Sequence, residues 1–253
     1  MVFVTLNLYH GSMEKEMIMD ETISVTEIVS IGNSYENNMA RIAAMEDEFS
    51  HTIDPILRMY NAAMNLTEAR LNIIKDEFEF SGKRVPIHHI DTRLKSSKSI
   101  LGKLEKKGMR LSLTEAVNNI YDIAGIRCVC PYIKDVYLIR DRILTQDDIH
   151  IIEIKDYIAS PKPNGYRSLH MIIRVPVYFM GKKQMVPVEI QLRTMAMDLW
   201  ASLEHDIKYK SLSGNLDSLD AMEIDFEDEL LQAAELIYSA QQKLELMNSI
   251  MEK

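Results

Sequence analysis

Along residues 13–80 apolar side chains recur at three- and four-residue intervals, and from about residue 87 they begin to alternate with polar ones. The first pattern predicts helix and the second strand, because side chains share a face about every 3.6 residues on a helix and every second residue on a strand. In the helical part, Met39, Ile42, Ala43, Phe49, Ile53, Ile56, Leu57, Tyr60 and Met64 form the stripe. Asp54-Pro55 predicts a kink or a new start there, and a second helix is expected from Thr67 to Phe80, ending at Ser81-Gly82.

Beyond it, strands are expected at Ile87–Leu94, Ile123–Cys130, Ile149–Ile158, Ser168–Val175 and Met185–Arg193. Helices are expected at Lys95–Lys107 (stopped by Gly108), after an N-cap at Thr114, and at Asp135–Leu144. Ser160-Pro-Lys-Pro-Asn-Gly165 reads as a loop, and Val177–Gln184 as a hairpin connection. A helix from Thr194 to Lys208 carries Leu199, Leu203 and Ile207 at four-residue spacing, and Ser211–Asn215 is a linker. The last helix, Asp217–Met251, has a heptad seam of Phe226, Leu230, Ala233, Ile237, Ala240, Leu244, Met247 and Met251. That seam suits packing on the chain's own N-terminal helices and a subunit interface equally. The fold class is α+β, a mixed sheet of about five strands with surrounding helices.

One strand departs from ordinary patterning. In Val186-Pro-Val-Glu-Ile-Gln-Leu-Arg193 one face is Val186, Val188, Ile190 and Leu192, and the other is Glu189, Gln191 and Arg193. An acid, an amide and a guanidinium in a row suit either a solvated edge or a polar cleft that holds a metal, a proton or a phosphate.

Composition narrows the options. The chain has 253 residues, 47% hydrophobic, with a formal net charge of −9. The acidic balance argues against broad nucleic-acid binding, so an anionic ligand needs a local basic patch. No apolar run approaches the roughly 20 residues of a membrane span, and Met1–Tyr9 makes a poor signal peptide. Residues 1–12 read as an extraneous leader ahead of a start at Met13. Cys128 and Cys130 point the same way on a strand and lack the second pair of a zinc site. They read as small buried hydrophobes in a reducing cytoplasm.

Four clusters carry candidate chemistry. A basic run, Arg93, Lys95, Lys98, Lys103, Lys106, Lys107 and Arg110, is the one place suited to a polyphosphate. Asp122, at the entrance to the apolar strand that contains Gly125 and Arg127, is placed to cap a helix, pair with Arg127 or bind Mg²⁺. In Lys162-Pro-Asn-Gly-Tyr-Arg-Ser-Leu-His170, Tyr166 suits hairpin packing or stacking on a base, and His170 shares a face with Ile172 and Arg174. The fourth is the polar strand, running into Trp200-Ala-Ser-Leu-Glu-His205. Neither standard glycine-rich phosphate loop is present, so nucleotides would be held by side-chain cations and a carboxylate-bound metal.

In this order, Arg93-Leu-Lys95, Asp122-Ile-Ala-Gly-Ile-Arg127, Gly165-Tyr-Arg-Ser-Leu-His170, Val188-Glu-Ile-Gln-Leu-Arg-Thr194 and Trp200-Ala-Ser-Leu-Glu-His205 closely resemble the RelA/SpoT synthetase domain. The likeness is strong over 87–210, and the chain looks like a single-domain small alarmone synthetase. It implies a nucleotidyltransferase-like fold divided into a helical segment 13–86, a synthetase core 87–210, and a linker with C-terminal helix 211–253. The implied reaction is transfer of pyrophosphate from ATP to the 3′-hydroxyl of GDP or GTP. Asp122 would then ligate Mg²⁺, and Glu189 would be a metal ligand, the general base, or both. Arg93, Lys95, Lys103, Lys106 and Arg127 would bind ATP and its phosphates. Tyr166 would stack on guanine, with Lys162, His170, Gln191 and Arg193 holding the acceptor. A homo-oligomer in the cytoplasm is expected, a tetramer among the options. Bifunctional family members carry a His-Asp metal domain that hydrolyses the product. With His205-Asp206 the only His-Asp pair here and no upstream metal-ligand series, no hydrolase activity is expected. A binder of guanine nucleotide or single-stranded RNA that has lost turnover is the competing class. Asp198 stands where Asn is expected, and Lys155 where Arg is frequent.

Overall fold

The computed structural model describes residues 25–212 and 226–251. The expected leader, residues 213–215 of the expected linker and residues 217–225 of the last helix lie outside the described residues. The chain divides into two units, 1–45 and 46–253. Of the first, the described part is helical backbone from residue 25, and the side chains of Met39, Ile42 and Ala43 lie outside the described residues. The sheet and all candidate site residues belong to the second.

Helix α1 (Val25–Phe80) runs through Pro55 and on past Thr67 as one element, where a break and a second start were expected. Proline removes a single N–H, and fully buried Ile53 and Tyr60 on either side hold the turn against the core. Thr67 caps nothing; its hydroxyl donates back to the Ala63 carbonyl at 2.8 Å.

Strand β1 (His89–Leu94) leads to α2 (Ser97–Lys106) and α3 (Leu113–Asn119), then β2 (Ala124–Cys130), α4 (Ile133–Leu144) and β3 (His150–Asp156). Strands β4 (Leu169–Phe179) and β5 (Lys182–Thr194) precede α5 (Met195–Leu212) and α6 (Phe226–Met251). The sheet order is β1-β2-β5-β4-β3. Only β2 and β5 pair in parallel; the other pairs are antiparallel. The expected mixed five-stranded α+β architecture is therefore the observed one.

Alternation sets the two faces of the sheet. Ile126 and Cys128 of β2, Met171 and Ile173 of β4, and Val188 and Ile190 of β5 pack on α1, α2 and α4 through Ile53, Tyr60, Ile100, Leu104, Val136 and Ile139. Cys128 and Cys130 are free and buried, as expected. A hydrogen bond to Cys128, followed by burial, pushes the Cys130 thiol far up.

Three local expectations change. Ser112, not Thr114, caps α3, accepting from Glu115 N at 3.2 Å. The β4–β5 hairpin closes on Met180-Gly181 rather than a long connection, with φ of +50° and +76°. Two left-handed residues match the twist of paired strands, but a methionine there hides the usual glycine-rich signal. On α5, Leu199 is 54% exposed while Trp200 is 4% exposed, so the buried face is Met197, Trp200 and Ala201 rather than the Leu199-Leu203-Ile207 row.

Helix α6 packs Leu230, Ala233, Ala234 and Ile237 against Trp200, Ala201 and Tyr166. Of the other seam residues, Phe226 at the start and Ala240, Leu244, Met247 and Met251 at the end are exposed, so the seam is covered only at Leu230, Ala233 and Ile237. Among the described residues, no helix is long and apolar enough to cross a membrane.

Candidate active site

Residues paired directly across a sheet share a face, so register alone assembles most of the site. One row crosses the sheet as Arg93, Gly125, Glu189 and Ile172. The next is Asp91, Arg127, Gln191, His170 and Lys155. The polar face of β5 therefore looks onto other chemistry-bearing strands, and the solvated-edge alternative does not hold.

Asp122 lies just before β2. The backbone N–H of Lys95 donates to the Ile123 carbonyl at 2.8 Å, which pins the β1–α2 junction beside it. The ammonium groups of Lys95 and Lys103 both donate to Asp122 Oδ2, at 3.0 and 2.7 Å. Burial would push this carboxyl up, but the hydrogen bond from Lys103 and the charges of Lys95 and Lys103 outweigh it and hold the carboxyl below its ordinary range. Its other oxygen, Oδ1, is buried with no hydrogen-bond partner. An orphaned carboxylate oxygen in a cleft shared with Glu189 suits a hard cation. Among the described residues no group of three or more acidic, His or Cys side chains forms a protein-only metal site. Mg²⁺ fits that donor set, since it takes one or two carboxylates and leaves its other positions to water and phosphate.

Glu189 closes a ring of five side chains. Its Oε1 lies 3.3 Å from His170 Nδ1 and its Oε2 accepts from Gln191 Nε2 at 2.9 Å. His170 Nε2 lies 2.8 Å from the Tyr166 hydroxyl. Arg193 Nη2 donates both to that hydroxyl, at 2.7 Å, and to Gln191 Oε1, at 2.9 Å. Burial acts to raise the Glu189 carboxyl, but the hydrogen bonds from His170 and from the Gln191 amide together leave it lowered. Arg193 is itself buried, and its Nη1 donates to Asp198 Oδ1 at 3.2 Å. The same oxygen lies 3.3 Å from Arg127 Nε, so one carboxylate bridges two arginines.

Two clefts meet at Glu189. The first, about 390 Å³, is lined by Arg93, Lys95, Asp122, Gly125, Arg127, Glu189 and Gln191. The second, about 240 Å³, is lined by Glu153, Lys155, Tyr157, Lys162, His170 and Glu189. A Cβ on Gly125 would meet only the Arg93 carbonyl at 3.5 Å, an ordinary contact, so protein packing does not demand glycine there. What the missing side chain leaves is room in the first cleft.

Most of the sequence-derived candidates thus converge. Lys103 reaches the first cleft through Asp122, while Tyr166 and Arg193 stand behind the second in the ring. Lys106 is exposed on α2 and lines neither cleft. Tyr157 was not singled out. Its ring packs edge-on to His170 at 5.3 Å and Tyr166 at 6.0 Å, with Lys162 Nζ 4.9 Å from its centre. It follows Lys155 at the strand spacing of two, which is the signal that could have found it. Glu204 and Trp200 are supports: Glu204 accepts from Asn164 Nδ2 at 3.1 Å, holding the 160–165 loop, and Trp200 Nε1 donates to the Leu230 carbonyl at 3.0 Å.

Comparison with known proteins gives the family and the fold. The family described as "Region found in RelA / SpoT proteins" matches residues 92–213. The GTP pyrophosphokinase YwaC of Bacillus subtilis is 40% identical over 188 residues, covering 74% of this chain and 86% of that protein. The crystal structure of small alarmone synthetase 1 from Bacillus subtilis bound to its product pppGpp superposes with a TM-score of 0.70 at 28% identity, covering 82% of this chain and all of that one (100%). Small alarmone synthetase 2 of the same organism gives a TM-score of 0.66 at 38% identity, over 76% of this chain and 96% of that one.

Proposed function

The chain belongs to the RelA/SpoT family, and from that we propose that it is a GTP pyrophosphokinase moving pyrophosphate from ATP to the 3′-hydroxyl of GDP or GTP. The products are ppGpp or pppGpp and AMP. The observation that carries the reading is the pair of polar clefts sharing Glu189 as their common wall. A two-substrate transfer needs one pocket for each nucleotide and a reactive group where they meet. Relatives named as pyrophosphokinases favour turnover over a binder that has lost it.

ATP occupies the cleft of Arg93, Lys95, Asp122 and Arg127, with Lys103 behind Asp122; Lys106, on the outer face of α2, meets only a distal part of it. The guanine nucleotide occupies the cleft of Lys162 and His170, with Tyr166 stacking on the base, Arg193 beside it, and Gln191, which lines the ATP cleft, at the border of the two. Glu189 takes the proton of the 3′-hydroxyl as that oxygen attacks the β-phosphorus and the bond to the α-phosphate breaks. A positioned general base contributes roughly 10²–10⁴-fold. Lys95 and Lys103 stand next to the migrating phosphoryl charge, and positioning with charge neutralisation dominates such transfers. Asp122 Oδ1 and Glu189 are the atoms that would hold Mg²⁺, which supplies charge neutralisation at the phosphates when bound. The exposed Leu236, Leu244, Met247 and Met251 of α6 support a homo-oligomer, which light scattering tests directly.

The direct assay incubates the protein with labelled ATP, GDP or GTP, and Mg²⁺. A 3′-pyrophosphorylated guanine nucleotide and AMP are the expected products, and their absence beside a working control rejects the reading. Glu189→Gln abolishes turnover while nucleotide binding persists.

A further inference from the structure

Stacking on a base uses only the face of Tyr166, and its hydroxyl is engaged elsewhere. Guanidinium groups only donate, so the Tyr166 oxygen accepts from Arg193 Nη2 at 2.7 Å. We assign the Tyr166 proton to the contact with His170 Nε2, 2.8 Å away, with that nitrogen as acceptor. The imidazole proton lies on Nδ1 and is offered to Glu189 Oε1 at 3.3 Å. The second arm runs the same way, Arg193 to Gln191 Oε1 and Gln191 Nε2 to Glu189 Oε2. In this arrangement each of the five contacts of the ring pairs one donor with one acceptor, and both arms start at one guanidinium and end on one carboxylate.

We infer that the Tyr166 hydroxyl and His170 form a positioning arm that ties the guanine-stacking ring to the carboxylate of Glu189, so that seating the base also aligns the group that receives the 3′-hydroxyl proton. The inference rests on the proposed stacking of guanine on Tyr166. Turning the Tyr166 ring about its χ1 sweeps the hydroxyl away from both Arg193 and His170, leaving His170 without the contact that fixes its tautomer and its plane. An acceptor whose base does not hold that ring in place then meets a poorly aligned Glu189, and selectivity appears in kcat as well as in KM.

Tyr166→Phe removes one oxygen and keeps the stacking face. It is expected to lower kcat about tenfold, the size of one hydrogen bond, with the KM for GDP and for ATP changed by less than about twofold. His170→Ala is expected to lower kcat comparably or more, and the double variant no further than His170→Ala alone, because both changes cut the same arm. Unchanged kcat in Tyr166→Phe, or additive losses in the double variant, overturns the inference. Tyr166→Ala separates the two readings. A GDP KM unmoved by Tyr166→Ala sinks the stacking role, whereas the hydroxyl arm is judged by the kcat of Tyr166→Phe. Melting temperatures well above the assay temperature for every variant establish that the losses are not unfolding.

Discussion

Gly165 and Ala234 approach so closely that a Cβ on the glycine would lie 2.5 Å from the Ala234 Cβ. The glycine also has φ +83°, in the left-handed region that side chains disfavour. The C-terminal helix α6 therefore rests on the residue directly before Tyr166, and Arg167 just after it is held by Glu235 at 2.9 Å and by the Tyr238 ring at 3.8 Å.

Gly165→Ala should destabilise the protein by about 1–3 kcal/mol through strain and overpacking. It should also raise the KM for the guanine nucleotide more than that for ATP, because the displaced loop carries Tyr166 and Lys162. Thermal melting and steady-state kinetics with each substrate varied check both halves; equal effects on the two substrates would detach the loop from acceptor binding.

Asp198 neutralises part of the charge of Arg127 and Arg193 from a single oxygen. Asp198→Asn should leave one more net positive charge between the clefts and lower the KM for an anionic nucleotide a few-fold, on the order of 1 kcal/mol. The effect should shrink with added salt. A raised KM instead would mean that Asp198 matters chiefly for holding Arg193 in place.

Both site carboxyls are held below their ordinary range despite burial, Asp122 by Lys103 and Lys95 and Glu189 by His170 and Gln191. A depressed carboxyl favours the folded state above the unfolded pKa, and that contribution is lost as pH falls through the folded value. Glu189 acts as base only when ionised. The plateau of kcat/KM should therefore persist as pH falls past the ordinary glutamate range and drop below it. A pH–rate profile with its acid limb above that range would contradict the assignment.

Arg84, which lines neither cleft, makes two hydrogen bonds, of 2.8 and 2.6 Å, to the buried carboxylate of Asp135 at the start of α4. Arg84→Leu leaves that carboxylate without its main countercharge and should cost about 3–5 kcal/mol. Denaturant unfolding measures the loss, and kcat/KM at low temperature should be unchanged.

How much of this was legible beforehand depends on distance along the chain. Alternation along 186–193 separated the apolar from the polar face of β5 without any tertiary information, because strand geometry alone puts every second side chain on one side. The ordered motifs brought the family and the reaction. Local patterning failed where packing overrode it. Pro55 sits inside a helix held by Ile53 and Tyr60, the apolar row Leu199-Leu203-Ile207 faces outward, and Met180 turns a hairpin without a glycine ahead of it. The site divides the same way. Asp122, Glu189, Tyr166 and their neighbours could be named from the sequence, but their partners could not. Pairing of β2 with β5 and of β5 with β4 is what sets Arg127, Gln191 and His170 in one row, and register is a property of strands far apart in the chain. Residue types, strand faces and the order of the motifs could be read along the chain. The place of Glu189 between two clefts, wired through His170 to the Tyr166 hydroxyl, came from the folded arrangement, because hydrogen bonds of a few ångströms exist only once separate strands are brought side by side.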